Sequence, residues 1–196
     1  MFYRGLVAKN PARRDELCDA ALAVLSDSGL RGLTHRAVDA RAVVPAGTTS
    51  NYFPSRATLL AAIAERVFVR LQPDPAVLRS LEAQPPNRAL FTTYLRDIVG
   101  RVRAEPNMLI ALMELRLEAT RSADLAALLQ PTLARAYRFD VDYHAAGGLP
   151  GGEDEIALVH WAIEGLLLDE LGPSMGARLD ADTAVALLVD RLVPER

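Results

Sequence analysis

Residues 34–52 offer two short helical segments joined by a connection of only three residues, Ala42, Val43 and Val44. Helices of about two turns do not persist alone in water, because the costly first turn is spread over too few hydrogen bonds. Such a pair exists only when packed on longer neighbours, and that requirement narrows the folds open to the chain. Thr34 is placed to cap the first segment, which runs to Arg41, with Leu33 and Val38 spaced as a hydrophobic staple. Pro45 opens the second segment, expected from Ala46 to about Tyr52, and Phe53-Pro54-Ser55 breaks it.

The neighbours are present. Asn10-Pro11 is a cap followed by a proline at the first helical position; Leu17, Ala21, Val24 and Leu25 follow at helical spacing, and Gly29 ends the run. Ser55 caps a further helix with Leu59, Leu60, Ile63, Val67 and Leu71 on one face, stopped by Pro73 and Pro75. A long helix, two short ones joined by a tight turn and a longer helix leading out form the helix-turn-helix arrangement, in which the second short helix lies in the major groove of DNA.

Charge is distributed to match. The net charge of −3 conceals a basic front: residues 1–70 carry ten Arg/Lys against six Asp/Glu, while the remainder carries twelve against nineteen. Residues 1–9 read as a loose basic arm bearing Arg4 and Lys9. A basic module joined to an acidic body fits nucleic-acid binding by the front alone.

The rear is a further series of helices. Asn87 precedes one with Leu90, Phe91, Tyr94, Leu95, Ile98 and Val102; Pro106 opens the next; 123–146 is long and contains Pro131, expected to kink or split it. The glycine-rich 145–152 is a loop, followed by an apolar helix at 153–171 and a last one at about 180–193. The expected architecture is all-α: a helix-turn-helix domain over 1–54, a connecting helix over 55–72, and a C-terminal helical domain over 73–196 for ligand binding and dimerisation. Ile156, Val159, Ile163, Leu166, Leu167 and Leu171 are too many apolar side chains for one buried helix face, so the last two helices are expected to form a dimer interface, with Leu167 in it.

Several functions find no support. The single cysteine, Cys18, reads as a small buried hydrophobe, and no disulfide within the chain is possible. His35, His144 and His160 lack metal-ligand spacing, and no nucleophile–base–acid pattern or phosphate loop appears. No catalytic residue, metal or cofactor is expected. Neither a signal peptide nor an apolar run of membrane-spanning length is seen, so a cytoplasmic protein without membrane partners is expected.

The segment 45–52 has the chemistry of a DNA reader. Gly47 allows close backbone approach, and Thr48, Thr49, Ser50 and Asn51 are small or hydrogen-bonding, making a poor core face. Residues 13–67 resemble the N-terminal domain of the tetracycline-repressor (TetR) family. The stretches that carry the resemblance are ALAVLSDSGLRGLTHRAVDARA at 21–42 and VPAGTTSNYFPSRATLLAAI at 44–63.

The resemblance implies a homodimer that binds a pseudo-palindromic operator in double-stranded DNA and is released by a small-molecule effector. It implies phosphate contacts from Thr34 and Arg36, with His35 adjacent, a recognition helix of Pro45, Ala46, Gly47, Thr48, Thr49, Ser50 and Asn51, and a backbone clamp of Tyr52 and Arg56. Two positions depart from the family pattern. Val43 stands where glycine is common, and a β-branched residue dislikes φ > 0, so a different turn conformation is expected. Ser50 stands where tyrosine is frequent, which removes a phosphate contact.

Family analogy places an effector cavity among the central helices. Phe91, Tyr94, Met108, Leu112, Met113, Tyr137 and Trp161 are its nominated lining, suited to a largely apolar ligand; ordinary core packing is the competing reading for each. His160 and Glu164 are spaced to pair, and Glu114 with Glu118 suits either a cationic ligand or a surface charge pair. A helical carrier or scaffold without DNA binding, and a ligand-responsive activator, remain open at this level.

Overall fold

The computed structural model describes residues 10–195, and the basic arm expected at 1–9 lies outside them. Ten helices account for the regular structure: α1 (Pro11–Gly32), α2 (His35–Arg41), α3 (Thr48–Tyr52), α4 (Arg56–Arg70), α5 (Pro75–Glu82), α6 (Arg88–Ala104), α7 (Pro106–Ala119), α8 (Ala123–Ala146), α9 (Glu153–Leu171) and α10 (Ala181–Leu192). No strand occurs among the described residues.

The chain forms two compact units, and neither follows the linear partition at residues 54 and 72. The first combines residues up to Arg70 with Asn107–Thr132; the second combines Leu71–Pro106 with Leu133–Arg196. In the first, α1 packs against α2 and α4. Leu17, Leu22, Leu25, Leu33, Val38, Phe53, Leu59, Ile63 and Val67 are all buried there, joined by Ala111 and Leu115 of α7. Arg66 of α4 grips α1 by its carboxylates, with Nε and Nη2 donating to Asp19 at 2.8 and 2.7 Å and Nη1 to Asp15 at 3.2 Å. Cys18 is buried here, and burial pushes its thiol up to about 11, leaving it an inert hydrophobe.

In the second unit α10 packs against α6 and α9. Leu95, Val99 and Val102 of α6, Val159, Ile163 and Leu167 of α9, and Val185 and Val189 of α10 are buried. Arg88, at the start of α6, donates Nε to the Val193 carbonyl at 2.7 Å and Nη2 to the Asp190 carbonyl at 2.9 Å, satisfying acceptors left open where α10 ends. His144 at the end of α8 is buried; its Nε2 donates to the Pro150 carbonyl at 3.0 Å and so ties down the 147–152 loop.

The caps read from sequence are present: Asn10, Thr34 and Ser55 accept backbone N–H groups at the starts of α1, α2 and α4. Asn87 and Asp180 do the same for α6 and α10. Helix α5 is an addition. Asp74 accepts the Ala76 N–H at 2.7 Å with Pro75 at the first helical position, the same device as Asn10-Pro11. Pro131 lies inside a continuous α8 and does not split it.

Candidate DNA-binding interface

The first link is α1 to α2. Gly29 adopts φ 62°, ψ −176°, breaking the helical path of α1. Thr34 then caps α2, its Oγ1 accepting the Ala37 N–H at 3.1 Å. Behind the cap, the Arg56 guanidinium donates Nη1 to the Leu33 carbonyl at 2.5 Å and Nη2 to the Leu30 carbonyl at 2.6 Å. His35 Nε2 lies 2.7 Å from the Phe53 carbonyl, so that nitrogen carries the proton and ties α2 to the end of α3. The Arg14 guanidinium sits 5.2 Å from the centre of the Phe53 ring.

The second link is α2 to α3. Val43 takes φ 53° and is 92% exposed, so the turn keeps a left-handed residue although valine occupies it. The expected change of turn conformation does not occur. The turn instead carries the strain, which for an L-residue in this region is about 1–2 kcal/mol. The Ala42 and Val44 N–H groups remain bonded to the Val38 and Asp39 carbonyls at 2.9 and 3.0 Å, which holds the geometry in place.

The helix expected to read DNA begins later than the sequence suggests. Pro45, Ala46 and Gly47 form a turn, Gly47 adopts φ 90°, and α3 covers only Thr48 to Tyr52. A residue with positive φ cannot continue a right-handed helix, and the orientation of α3 is set at that point. Gly47 has no side chain to cap with, so an acceptor comes from elsewhere. Asp39 of α2, buried, takes the Gly47 N–H on Oδ2 at 2.7 Å and the Thr49 N–H on Oδ1 at 2.7 Å. The Thr49 hydroxyl also donates to Oδ1, at 2.5 Å. Burial alone raises the Asp39 pKa, but the hydrogen bonds from Thr49 and Gly47 and the nearby His35 outweigh it and hold the carboxyl below its ordinary value.

Asp39 is the residue that sequence reasoning missed. It is the sole carboxylate between Asp27 and Glu65, and the side chain of Gly47 offers the start of α3 no acceptor. That pairing was the available signal.

These bonds sort the expected contact residues. Thr49 is 0% exposed with its hydroxyl committed to Asp39, so it cannot reach a base edge; this corrects its assignment as a reader. His35 is turned to Phe53, and Arg56 commits two of its five N–H groups to the backbone of Leu30 and Leu33, leaving the others open. Arg36 and Asn51 are exposed, and their side chains make no hydrogen bond or ion pair among the described residues. Pro45, Ala46, Gly47 and Ser50 are exposed beside them, with Thr34 at the neighbouring helix start and Tyr52 half-buried. Thr48 and Ser50 donate their hydroxyls to the Pro45 and Gly47 carbonyls at 2.6 and 2.9 Å, keeping lone pairs outward.

The nominated effector lining is divided between the two units. Met108, Leu112 and Met113 belong to the first unit; Phe91, Tyr94, Tyr137 and Trp161 belong to the second. Tyr94 is part of a polar relay, its hydroxyl 2.9 Å from that of Tyr143, which donates to Glu82 at 3.1 Å. The Tyr137 hydroxyl donates to the Glu153 carbonyl at 3.0 Å. Trp161 is 67% exposed on α9 and so is no cavity wall, which corrects its nomination. His160 pairs with Asp140 at 3.2 Å, and Glu118 pairs with Arg121 at 3.4 Å.

A helix-turn-helix of this geometry, followed by helices alone, defines a class of regulatory proteins, and comparison with known proteins agrees. Residues 86–195 match the family model of the tetracyclin repressor-like C-terminal domain. The chain belongs to the tetracyclin repressor-like (TetR) family. It is 42% identical over 59 residues to the HTH-type transcriptional repressor KstR of Mycolicibacterium smegmatis, covering 30% of this chain and 29% of that protein. It is 28% identical over 123 residues to the HTH-type transcriptional regulator BetI of Rhizobium meliloti, covering 63% and 60%. The aligned stretches thus span less than two thirds of these relatives. Among solved structures, the multidrug binding protein EbrR complexed with imidazole shares the fold with a TM-score of 0.68 at 23% identity, covering 95% of this chain and 98% of that one. A TetR-family member from Streptomyces coelicolor A3 does so with a TM-score of 0.69 at 24% identity, covering 94% and 99%.

No helix among the described residues is long and apolar enough to cross a membrane, and no cluster of three or more potential metal ligands occurs among them.

Proposed function

We propose that this chain is a cytoplasmic, homodimeric transcriptional regulator, not an enzyme, that binds a pseudo-palindromic operator through α3 and is released from it by a small, largely apolar effector. The observation that carries the reading is the Asp39 anchor. A buried carboxylate fixes a five-residue helix against α2 while Arg36, Ser50 and Asn51 stay exposed beside it. A short polar helix held this rigidly and left uncovered has a partner outside the chain.

Arg36 and Thr34 contact phosphates in this reading, and Asn51 reads a base edge; an asparagine amide pairs bidentately with adenine. Dimerisation rests on α9. Its inward residues are used within the chain, and Leu158, Trp161 and Leu168 remain exposed at spacings of three and seven, along one face. In a two-fold dimer the recognition helices are expected to enter successive major grooves, about 34–36 Å apart.

The experiment is selection of bound DNA from a random pool, followed by titration at several salt concentrations. Arg36→Ala should weaken binding to all sequences and reduce the salt slope by about one. Asn51→Ala should relax preference at one position in each half-site, by about 1–3 kcal/mol. A pool that enriches no sequence, or an Asn51→Ala variant with unaltered preference and an Arg36→Ala variant with unaltered slope, would refute the reading.

A further inference from the structure

A cleft of about 440 Å³ opens in the first unit, lined by Leu30, Arg31, Arg56, Glu118 and Arg121. Its wall is assembled from three places in the sequence: the last turn of α1 beyond Gly29, the first residue of α4, and the end of α7 with the turn that follows it. Three arginines and one glutamate line it. The Glu114 carboxylate is directed to Gly29 nearby, 3.5 Å from where a Cβ would stand.

None of the three arginines has all its donors used within the described residues. Arg31 makes no ion pair or hydrogen bond among the described residues. Arg121 reaches only Glu118, at 3.4 Å. Arg56 commits two N–H groups to the Leu30 and Leu33 carbonyls, and a guanidinium has five. Like charges gathered around one opening repel, and an oxyanion removes that repulsion while accepting two parallel N–H bonds from each guanidinium it meets. The space exceeds what a bare oxyanion fills and lies within the range of pockets that hold small organic ligands, about 300–1,000 Å³. Leu30 supplies an apolar surface for the rest of such a molecule.

We infer that this cleft, to which α3 contributes no residue, is an anion site that takes a phosphate-type oxyanion carried on a small organic body. Glu118 is the competitor that the ligand displaces from Arg121. The same oxyanion chemistry is offered by the DNA backbone, and the test must separate the two sources.

The probe is phenyl phosphate, titrated calorimetrically into the full chain in chloride buffer without DNA. Saturable binding is expected. Arg31→Gln and Arg121→Gln, both at exposed side chains that hold no backbone, should each weaken it about tenfold. Glu118→Gln should tighten it several-fold by removing the competing charge, which a purely structural role for these residues would not do. Thermal unfolding of each variant checks that the fold is kept. Absence of saturable binding at millimolar phenyl phosphate, or arginine variants that bind it like the parent chain, overturns the inference. If phenyl phosphate does not bind while the arginine variants lower the salt slope of DNA binding, the cleft belongs to the DNA backbone, and the inference fails in favour of that source.

Discussion

Asp39 holds Thr49 twice, taking its backbone N–H at 2.7 Å and its hydroxyl at 2.5 Å on one carboxylate oxygen. The pair joins α2 to α3 below the surface that faces outward, so the position of α3 depends on a buried charge. Removing one partner leaves the other buried and unsatisfied, at about 1–3 kcal/mol.

Thr49→Val and Asp39→Asn should therefore lower the unfolding free energy by amounts of that order and weaken DNA binding without altering base preference. Thr49→Ser, which keeps the hydroxyl, should be mild. Urea titration and repeated DNA selection check this; a shifted consensus for Thr49→Val would mean that Thr49 reads a base after all. The carboxyl is held below its ordinary value in the folded chain, so its contribution is present above about pH 4 and is lost as the pH falls below it. Acid unfolding of Asp39→Asn should lack that component.

Val43 predicts a gain. Its side chain is almost fully exposed and its φ is positive, so replacement by glycine removes backbone strain and loses no packing. Glycine's greater freedom in the unfolded chain offsets part of the benefit, about 0.5–1 kcal/mol. Val43→Gly should raise stability by a few tenths to about 1 kcal/mol, read from the denaturation midpoint. A lower midpoint would show that the valine is not strained.

On α9, neighbouring leucines should respond in opposite ways. Leu167 is 3% exposed within its own chain, whereas Leu168 is 55% exposed. This corrects the assignment of Leu167 to the interface between copies. Leu168→Asp should yield a folded monomer in sedimentation, with red-shifted Trp161 emission. Leu167→Asp buries an unpaired charge in the core and should lose the fold itself. A Leu168→Asp variant that remains dimeric would remove α9 from the interface.

His144 predicts sensitivity to mild acid. Burial holds its imidazole below the ordinary 6.5, against the hydrogen bonds to the loop carbonyls, so the unfolded chain takes up the proton first. Stability contributed by the neutral ring is present at pH 7 and above and declines as the pH falls through about 6.5. His144→Gln, which can keep a donor to the Pro150 carbonyl, should lose this decline while starting from lower stability. Denaturation midpoints measured from pH 7.5 to 5.5 would decide it; parallel slopes would exclude His144 as the cause.

The helices were legible where their signals are local. A cap and its N–H lie within three residues, so Asn10, Thr34 and Ser55 could be read directly. Helix α5 carried the same signal in Asp74-Pro75, but Pro73 beside it made the stretch read as an ending. The site was legible in its residue types and not in its bonds. Asp39 meets Gly47 and Thr49, and Arg56 meets Leu30 and Leu33, through the fold rather than along the chain. Which threonine faces inward depends on where Gly47 turns the backbone, and periodicity over five residues cannot report that. Trp161 escaped for a related reason: the apolar residues of α9 are spread around the helix between its charged ones, so its sequence does not say which side meets solvent.

The first compact unit is assembled from two distant stretches of chain, residues up to Arg70 and Asn107–Thr132. On the ribosome the helix-turn-helix emerges well before α7, whose Ala111 and Leu115 complete its interior. Until that second stretch has been made, the nascent reader carries an unfinished hydrophobic face, and a fragment cut at the end of α4 would retain it permanently. The helix-turn-helix is therefore expected to be less stable as an isolated fragment than in the whole chain, because part of its compact unit is supplied by the body that follows it in translation.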